Sequence, residues 1–162
     1  MSKMITVGIS DLNVAKNGDV LVTYALGSCI GICLYDSVRK VAGLAHIMLP
    51  SSVGFNPIGN QVYKFADLSI PILIDRMKAE GAKQICLSAK IAGGAQMFAA
   101  VNNSSLANIG QRNIMAVRQV LAKLNIPIIV EDTGKDYGRT QFFSSADGSM
   151  RIKSVNRGEW IY

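Results

Sequence analysis

Two side chains in this sequence could do chemistry together, a thiol and an imidazole. The chain has one histidine, His46, and Cys29 stands seventeen residues before it in the run Leu26-Gly27-Ser28-Cys29-Ile30-Gly31-Ile32-Cys33-Leu34-Tyr35-Asp36. A cysteine becomes a useful nucleophile when a nearby imidazole takes its proton, so any such pair here must use His46. Gly27 and Ser28 suggest a turn with exposed backbone amides at the entry to a strand, and such amides can form an oxyanion hole. A cysteine in an apolar strand is more often a small core residue, which suits Cys33 and Cys86 in their Ile-Cys-Leu settings. His46, between Ala45 and Ile47, equally reads as a core histidine satisfied by one hydrogen bond.

A hairpin would bring the pair together. Ile30 to Tyr35 and Val41 to Leu49 read as two apolar strands joined by Asp36-Ser37-Val38-Arg39, with Lys40 starting the return. If Tyr35 faces Lys40, Cys29 lies opposite His46, and directly opposed residues share a face with β-carbons roughly 5 Å apart. A slip of one residue would send the two to opposite faces, so the pairing is an expectation about register.

The remaining elements follow from apolar spacing and turn residues. Ile5 to Ile9 and Val20 to Tyr24 read as strands before the hairpin, and Leu49 to Gln61, with its Pro and Gly residues, reads as a loop. Helical spacing runs from Val62 to Glu80 with Gly81 as its stop, and Pro71 either kinks this helix or starts a second one capped by Ser69. Gln84 to Ala89 reads as a strand and Ile91 to Ala95 as a tight turn. Its Gly93-Gly94 pair serves close backbone packing, since no Gly-Lys-Ser/Thr follows to make a phosphate loop. After a loop at Asn102 to Ser105, Gly110 to Leu124 forms an amphipathic helix and Ile126 to Glu131 a strand. Asp132 to Arg139 is a polar loop, and Thr140 to Ser144 with Ser149 to Val155 a terminal hairpin about Asp147-Gly148. Many strands and two main helices give an α+β fold: residues 1–162 as one domain, a sandwich or mixed sheet with helices packed on it.

Composition narrows the class. A chain of 162 residues that is 49% apolar can bury a core without staples. No apolar run approaches the roughly 20 residues that cross a bilayer, and the first residues lack a signal-peptide core, so a cytoplasmic protein with no membrane insertion is expected. Three cysteines fit reduced thiols, and one histidine with a C-x3-C spacing does not complete an ordinary zinc site. Neither a metal nor a cofactor is expected. The net charge of +6 is scattered along the chain with no basic run, which favours an acidic protein surface over nucleic acid as partner.

Taken together, the motifs resemble the CheD family, the chemoreceptor glutamine deamidases of bacterial chemotaxis. The matching stretches are Thr23 to Cys29 (Thr-Tyr-Ala-Leu-Gly-Ser-Cys), Gly43 to Pro50 (Gly-Leu-Ala-His-Ile-Met-Leu-Pro), Lys64 to Asp67, Lys90 to Phe98, Ile109 to Asn113 (Ile-Gly-Gln-Arg-Asn), and Glu131 to Gly134 followed by Gly138-Arg139. They occur in family order over most of the chain. The resemblance implies a cysteine hydrolase with Cys29 as nucleophile, His46 as base and Thr23 as the group orienting the imidazole. It also implies an α/β sandwich like that of the deamidating cytotoxic necrotizing factor toxins. Chemoreceptor methylation helices are the implied substrate and a CheC-type phosphatase the implied partner. By itself Thr23 is an ordinary β-branched strand residue. Phe65, where tyrosine is expected, and Ser51, where aspartate is common, depart from the pattern.

Two other classes compete. One is a non-catalytic binding module that regulates a chemotaxis phosphatase. The other is a redox protein using Cys29 and Cys33, whose spacing is wrong for a C-x-x-C motif.

Overall fold

The first half of the chain is rich in short apolar runs broken by turn residues, and these become strands. In the computed structural model, which describes residues 2–97 and 108–162, the strands are β1 (Met4–Thr6), β2 (Asp11–Ala15), β3 (Val20–Leu26), β4 (Ile30–Asp36) and β5 (Val41–Ile47). A 3-10 turn at Gly59–Lys64 leads into α1 (Ala66–Ala79), and another at Gln84–Cys86 precedes β6 (Leu87–Gly93). Then come α2 (Ile109–Lys123), β7 (Ile128–Thr133), β8 (Arg139–Ser144), β9 (Met150–Ser154) and β10 (Gly158–Ile161). The expected loop at Asn102 to Ser105 lies outside the described residues.

The strands form two sheets of five, ordered β1-β3-β8-β9-β10 and β2-β5-β4-β6-β7. Strands β4 and β5 lie at the heart of the second sheet and every residue of both is buried, which explains why they read as unbroken apolar runs. One face, with Ile30, Ile32, Leu34, Val41, Ala45 and Ile47, packs on Ile70, Leu73 and Met77 of α1 and Ile114, Val117 and Leu121 of α2. The other face, with Cys33, Tyr35, Ala42 and Leu44, meets Leu21, Leu26, Phe143, Met150 and Ile152 of the first sheet. The architecture is therefore the expected α+β sandwich in three layers: sheet, sheet, helix pair. Each layer boundary is an apolar core, so the middle sheet is held on both sides.

Several local expectations shift. Helix α1 starts at Ala66 and runs through Pro71 without a second cap, and Ser69 is buried inside it. Its stop is as anticipated. Gly81 takes a φ of +102°, and the amides of Ala82 and Gly81 bond back to Met77 and Lys78, the paired bonds of a Schellman motif. Strand β6 begins at Leu87, after a 3-10 turn, and continues through the residues expected to turn at Ile91 to Gly93. Asp132 and Thr133 belong to β7 and Arg139 opens β8, which shortens the expected polar loop from both ends. Strands β2 and β10 have no counterpart in the expectations.

Candidate active site

The chain places Thr23, Cys29 and His46 at one end of the space between the sheets. Strand β5 carries His46 on the same face as Ala42 and Leu44, toward the first sheet, and the histidine is fully buried. Cys29 packs against that same inter-sheet core and is half-buried just ahead of β4. The two share a face, as the hairpin argument requires.

Their register differs from the expectation by two residues. Asp36 pairs with Val41 and Gly31 with His46, so the residue opposite the histidine is Gly31 and not Cys29. The cause is Asp36, assigned above to the loop. Its carboxylate accepts the amides of Val38 and Arg39 at 3.0 Å each and that of Lys83 at 3.0 Å, with the Arg39 guanidinium at 3.1 Å. Burial alone raises the carboxyl pKa, but these donors hold it below its usual value. Asp36 therefore closes a four-residue turn from inside the ladder. A shift of two keeps the face and turns the direct pairing into a diagonal one, with a typical backbone separation of about 7–8 Å that long and aromatic side chains span.

Thr23 reaches His46 across the sheets. Its hydroxyl lies 2.6 Å from the Val7 carbonyl and 2.7 Å from His46 Nδ1, with both side chains buried. A carbonyl only accepts, so the single hydroxyl proton goes to Val7, and Nδ1–H must donate to Thr23 Oγ1. The relay fixes the imidazole tautomer. The lone pair is left on Nε2, which is buried and has no partner among the described residues. Strand β3 presents Thr23 by ordinary alternation, two residues after the inward-facing Leu21, and a bulge follows it. Thr23 pairs with Gln141 and Leu26 with Arg139, one residue more on β3 than on β8, and Ala25 takes a φ of +57°. Thr23 and Leu26 thus both face the core, which strict alternation would forbid.

The loop bearing Cys29 is braced through its carbonyls. Gly27 O accepts from Ala95 N at 2.9 Å, Ser28 O from Asn113 Nδ2 at 2.9 Å, and Cys29 O from Gly94 N at 2.8 Å. The Cys29 amide lies against its own sulfur, a contact that offsets part of the rise in the thiol pKa that burial causes. Gly93 and Gly94 do serve close packing: a β-carbon at Gly93, whose φ is +111°, would come within 2.2 Å of Cys29 O. Gln141 fills the space opposite His46. Its Nε2 donates to Gly31 O at 3.1 Å, and its Oε1 lies 1.7 Å from where a β-carbon of residue 31 would sit.

Burial sets the electrostatics. It pushes the Cys29 thiol up and the His46 pKa down to about 4, so at rest a neutral thiol and a neutral imidazole with a free lone pair share this face. Such an arrangement can move a proton from sulfur to nitrogen when an electrophile arrives. Cys33 is fully buried and its thiol is pushed well above the usual range, chiefly by burial. Four strand steps, about 13 Å, separate its backbone from that of Cys29, beyond the roughly 7 Å a disulfide spans, which removes the redox pairing.

Of the two departures, Phe65 is buried against the Phe55 ring at 5.2 Å, a setting that needs no hydroxyl. Ser51 lines two adjoining grooves of about 540 and 360 Å³ that share Pro50, Val53 and Arg112 and follow α2. The residues that sequence reasoning missed are Val7, Gln141 and Asn113. Asn113 alone left a signal, a polar residue on the face of α2 that otherwise carries Ile114, Val117 and Leu121 into the core.

Comparison with known proteins gives a consistent outcome. Residues 48–154 match the family model described as CheD chemotactic sensory transduction. The chain is 52% identical over 154 residues to a "Probable chemoreceptor glutamine deamidase CheD" of Clostridium novyi, covering 95% of this chain and 94% of that one. It is 51% identical to a protein of the same description from Caldanaerobacter subterraneus, over 97% and 96% of the two chains. The Clostridium botulinum counterpart is 49% identical over 96% of each. Among solved structures, the Bacillus licheniformis hypothetical protein YfiH gives a TM-score of 0.46 at 16% identity, covering 76% of this chain and 50% of that one, too distant to carry an argument.

Proposed function

The chain belongs to the CheD family, and on that premise we propose that it deamidates glutamines on the methylation helices of chemoreceptors through a Cys29–His46 dyad. It is a glutamine deamidase, an amidohydrolase, and the whole span 1–162 serves as one such domain. The observation that carries the mechanism is the relay from His46 Nδ1–H through Thr23 Oγ1 to Val7 O, which leaves Nε2 as a base on the face it shares with the thiol.

The steps follow from that tautomer. The Cys29 proton passes to His46 Nε2 as sulfur attacks the glutamine side-chain carbonyl carbon. The backbone amides of Ser28 and Cys29, at the turn begun by Gly27, hold the oxyanion. The imidazolium then protonates the amide nitrogen, the C–N bond breaks, ammonia leaves, and a glutamyl thioester remains. Water attacks the thioester while Nε2 takes one of its protons. The C–S bond breaks, the thiol recovers its proton, and glutamate is the product. Thr23 acts by holding the ring in this tautomer. The type of fold, two stacked sheets with the thiol at a strand entry, is compatible with the likeness to cytotoxic necrotizing factor toxins that the resemblance implied.

Receptor methylation helices are rich in glutamate and glutamine, which the net charge of +6 complements. Among the described residues no helix is long and apolar enough to cross a membrane. The reaction is assigned to the cytoplasmic face of the receptor, and docking of a CheC-type phosphatase is the regulatory partner interaction the family implies. Peptide mass spectrometry of a receptor cytoplasmic fragment tests the assignment. Wild type should convert specific glutamines to glutamate while folded Cys29→Ala and His46→Ala do not. No conversion by wild type would favour the non-catalytic phosphatase-binding module.

A further inference from the structure

The nucleophile loop and the strand carrying the base belong to different segments, and one side chain joins them. Asn113, on the first turns of α2, is fully buried. Its Nδ2 donates two hydrogen bonds of 2.9 Å, one to Ser28 O and one to Met48 O. Ser28 precedes Cys29 and Met48 lies two residues after His46, just past the end of the β4–β5 ladder at Ile30 and Ile47. Beyond that last pair no backbone bond ties the two segments directly in the described structure, and the Asn113 amide spans the gap. Its own Oδ1 is buried without a partner among the described residues, a cost that a residue filling space alone would not carry.

The segment holding Asn113 is itself fixed. Gly110, one turn earlier on α2, lies so close to the Gly94 and Ala95 carbonyls that a β-carbon there would come within 2.6 and 2.5 Å of them. Gly94 and Ala95 donate their amides to the Cys29 and Gly27 carbonyls. The helix start, the glycine turn and the nucleophile loop therefore form one rigid group, and Asn113 is its only described side-chain link to the Met48 carbonyl.

We propose that Asn113 is a positioning residue that sets the separation of Cys29 from His46 by clamping the Ser28 and Met48 carbonyls with one amide group. This rests on the dyad reading above. Removing the clamp leaves Thr23, His46 and Cys29 in place chemically but lets the two segments part. Misplacement of reacting groups by about 1 Å costs on the order of 100-fold in turnover. Asn113→Asp is the sharper variant, since it replaces the donor by an oxygen facing two carbonyls at nearly the same volume.

The test measures two things on Asn113→Ala, Asn113→Asp and Leu121→Val, the last a control that loosens α2 packing two turns away from both carbonyls and from the glycine turn. The first is kcat and KM for glutamine conversion; the second is the pH profile of Cys29 alkylation by iodoacetamide, which needs no substrate. Both Asn113 variants should lose kcat by about 10- to 100-fold with KM within about twofold, and their alkylation profiles should move away from wild type. Leu121→Val should keep both. An Asn113→Ala protein that is folded with wild-type kcat and alkylation profile would overturn the clamp, as would equal losses in Leu121→Val. Should wild type show no deamidation at all, the deamidase reading fails by itself, and the alkylation profiles still decide whether Asn113 governs the dyad.

Discussion

His46 has been given two demands that pull against each other. It is buried where it faces the inter-sheet space, and in the proposed mechanism it must take a proton. The structure meets both by keeping it neutral at rest, with the pKa lowered to about 4 by burial and one nitrogen satisfied by Thr23. This links activity to stability. In the unfolded chain the imidazole titrates near 6.5, so between about pH 6.5 and 4 the unfolded state binds more protons than the native state. The contribution to stability is complete above pH 6.5 and is lost as the pH falls through that window. Denaturant unfolding of wild type and His46→Gln at pH 7 and pH 4.5 checks it. Wild type should lose about 2 kcal/mol more than the variant on acidification, the size expected for a shift of this order at a fully buried group. Carboxylates that titrate in the same range are common to both proteins and cancel.

At the level of elements, the site depends on matched irregularities. The bulge at Ala25 turns Leu26 inward after Thr23, the Asp36 turn sets the β4–β5 register, and Gly31 leaves room for the Gln141 amide. The last pair makes a sharp prediction. Gly31→Ala puts a β-carbon 1.7 Å from Gln141 Oε1 and 2.8 Å from its Cδ in a fully buried setting, and should cost about 1–3 kcal/mol as overpacking does. In Gln141→Ala the same change should cost much less, since only the Leu26 Cδ1 at 3.2 Å is left close, so a double-mutant cycle by urea denaturation should show coupling above about 1 kcal/mol. These devices also mark the limit of what the sequence disclosed. Strands β3 to β5 and helix α2 were legible because they are long and apolar in period, and Cys29 with His46 stood out by residue type. The register was not, because the Lys83 amide that holds Asp36 comes from a segment 47 residues away. Strand β2 was hidden by its shortness, Asp-Leu-Asn-Val-Ala, and β10 by having only four residues. Val7 and Gln141 gave no local sign, since their roles exist only once the two sheets stack.

Across the whole molecule, the last strand closes the first sheet through a buried acid. Asp132 accepts from Arg139 Nε at 3.0 Å and from the Trp160 indole and Tyr162 hydroxyl, and Lys90 Nζ donates to Tyr162 O at 3.2 Å. Removing residues 158–162 strips two donors from this carboxylate and the edge strand with them. The truncated protein should be less stable by about 3 kcal/mol, from two hydrogen bonds to a charged group. Thermal unfolding followed by circular dichroism should then show a midpoint lower by roughly 10 °C. Sandwiching the dyad between the sheets also decides how the protein meets oxidants. Peroxide attacks thiolate and not thiol, and burial favours Cys29 as the thiol until, in the proposed mechanism, His46 takes its proton as a substrate amide is attacked. Millimolar hydrogen peroxide should therefore convert Cys29 to sulfenic acid no faster than it does an ordinary free cysteine at neutral pH, as read by dimedone labelling. Rapid labelling would mean a standing thiolate. A nucleophile armed only by its substrate is one that an oxidative burst passes over.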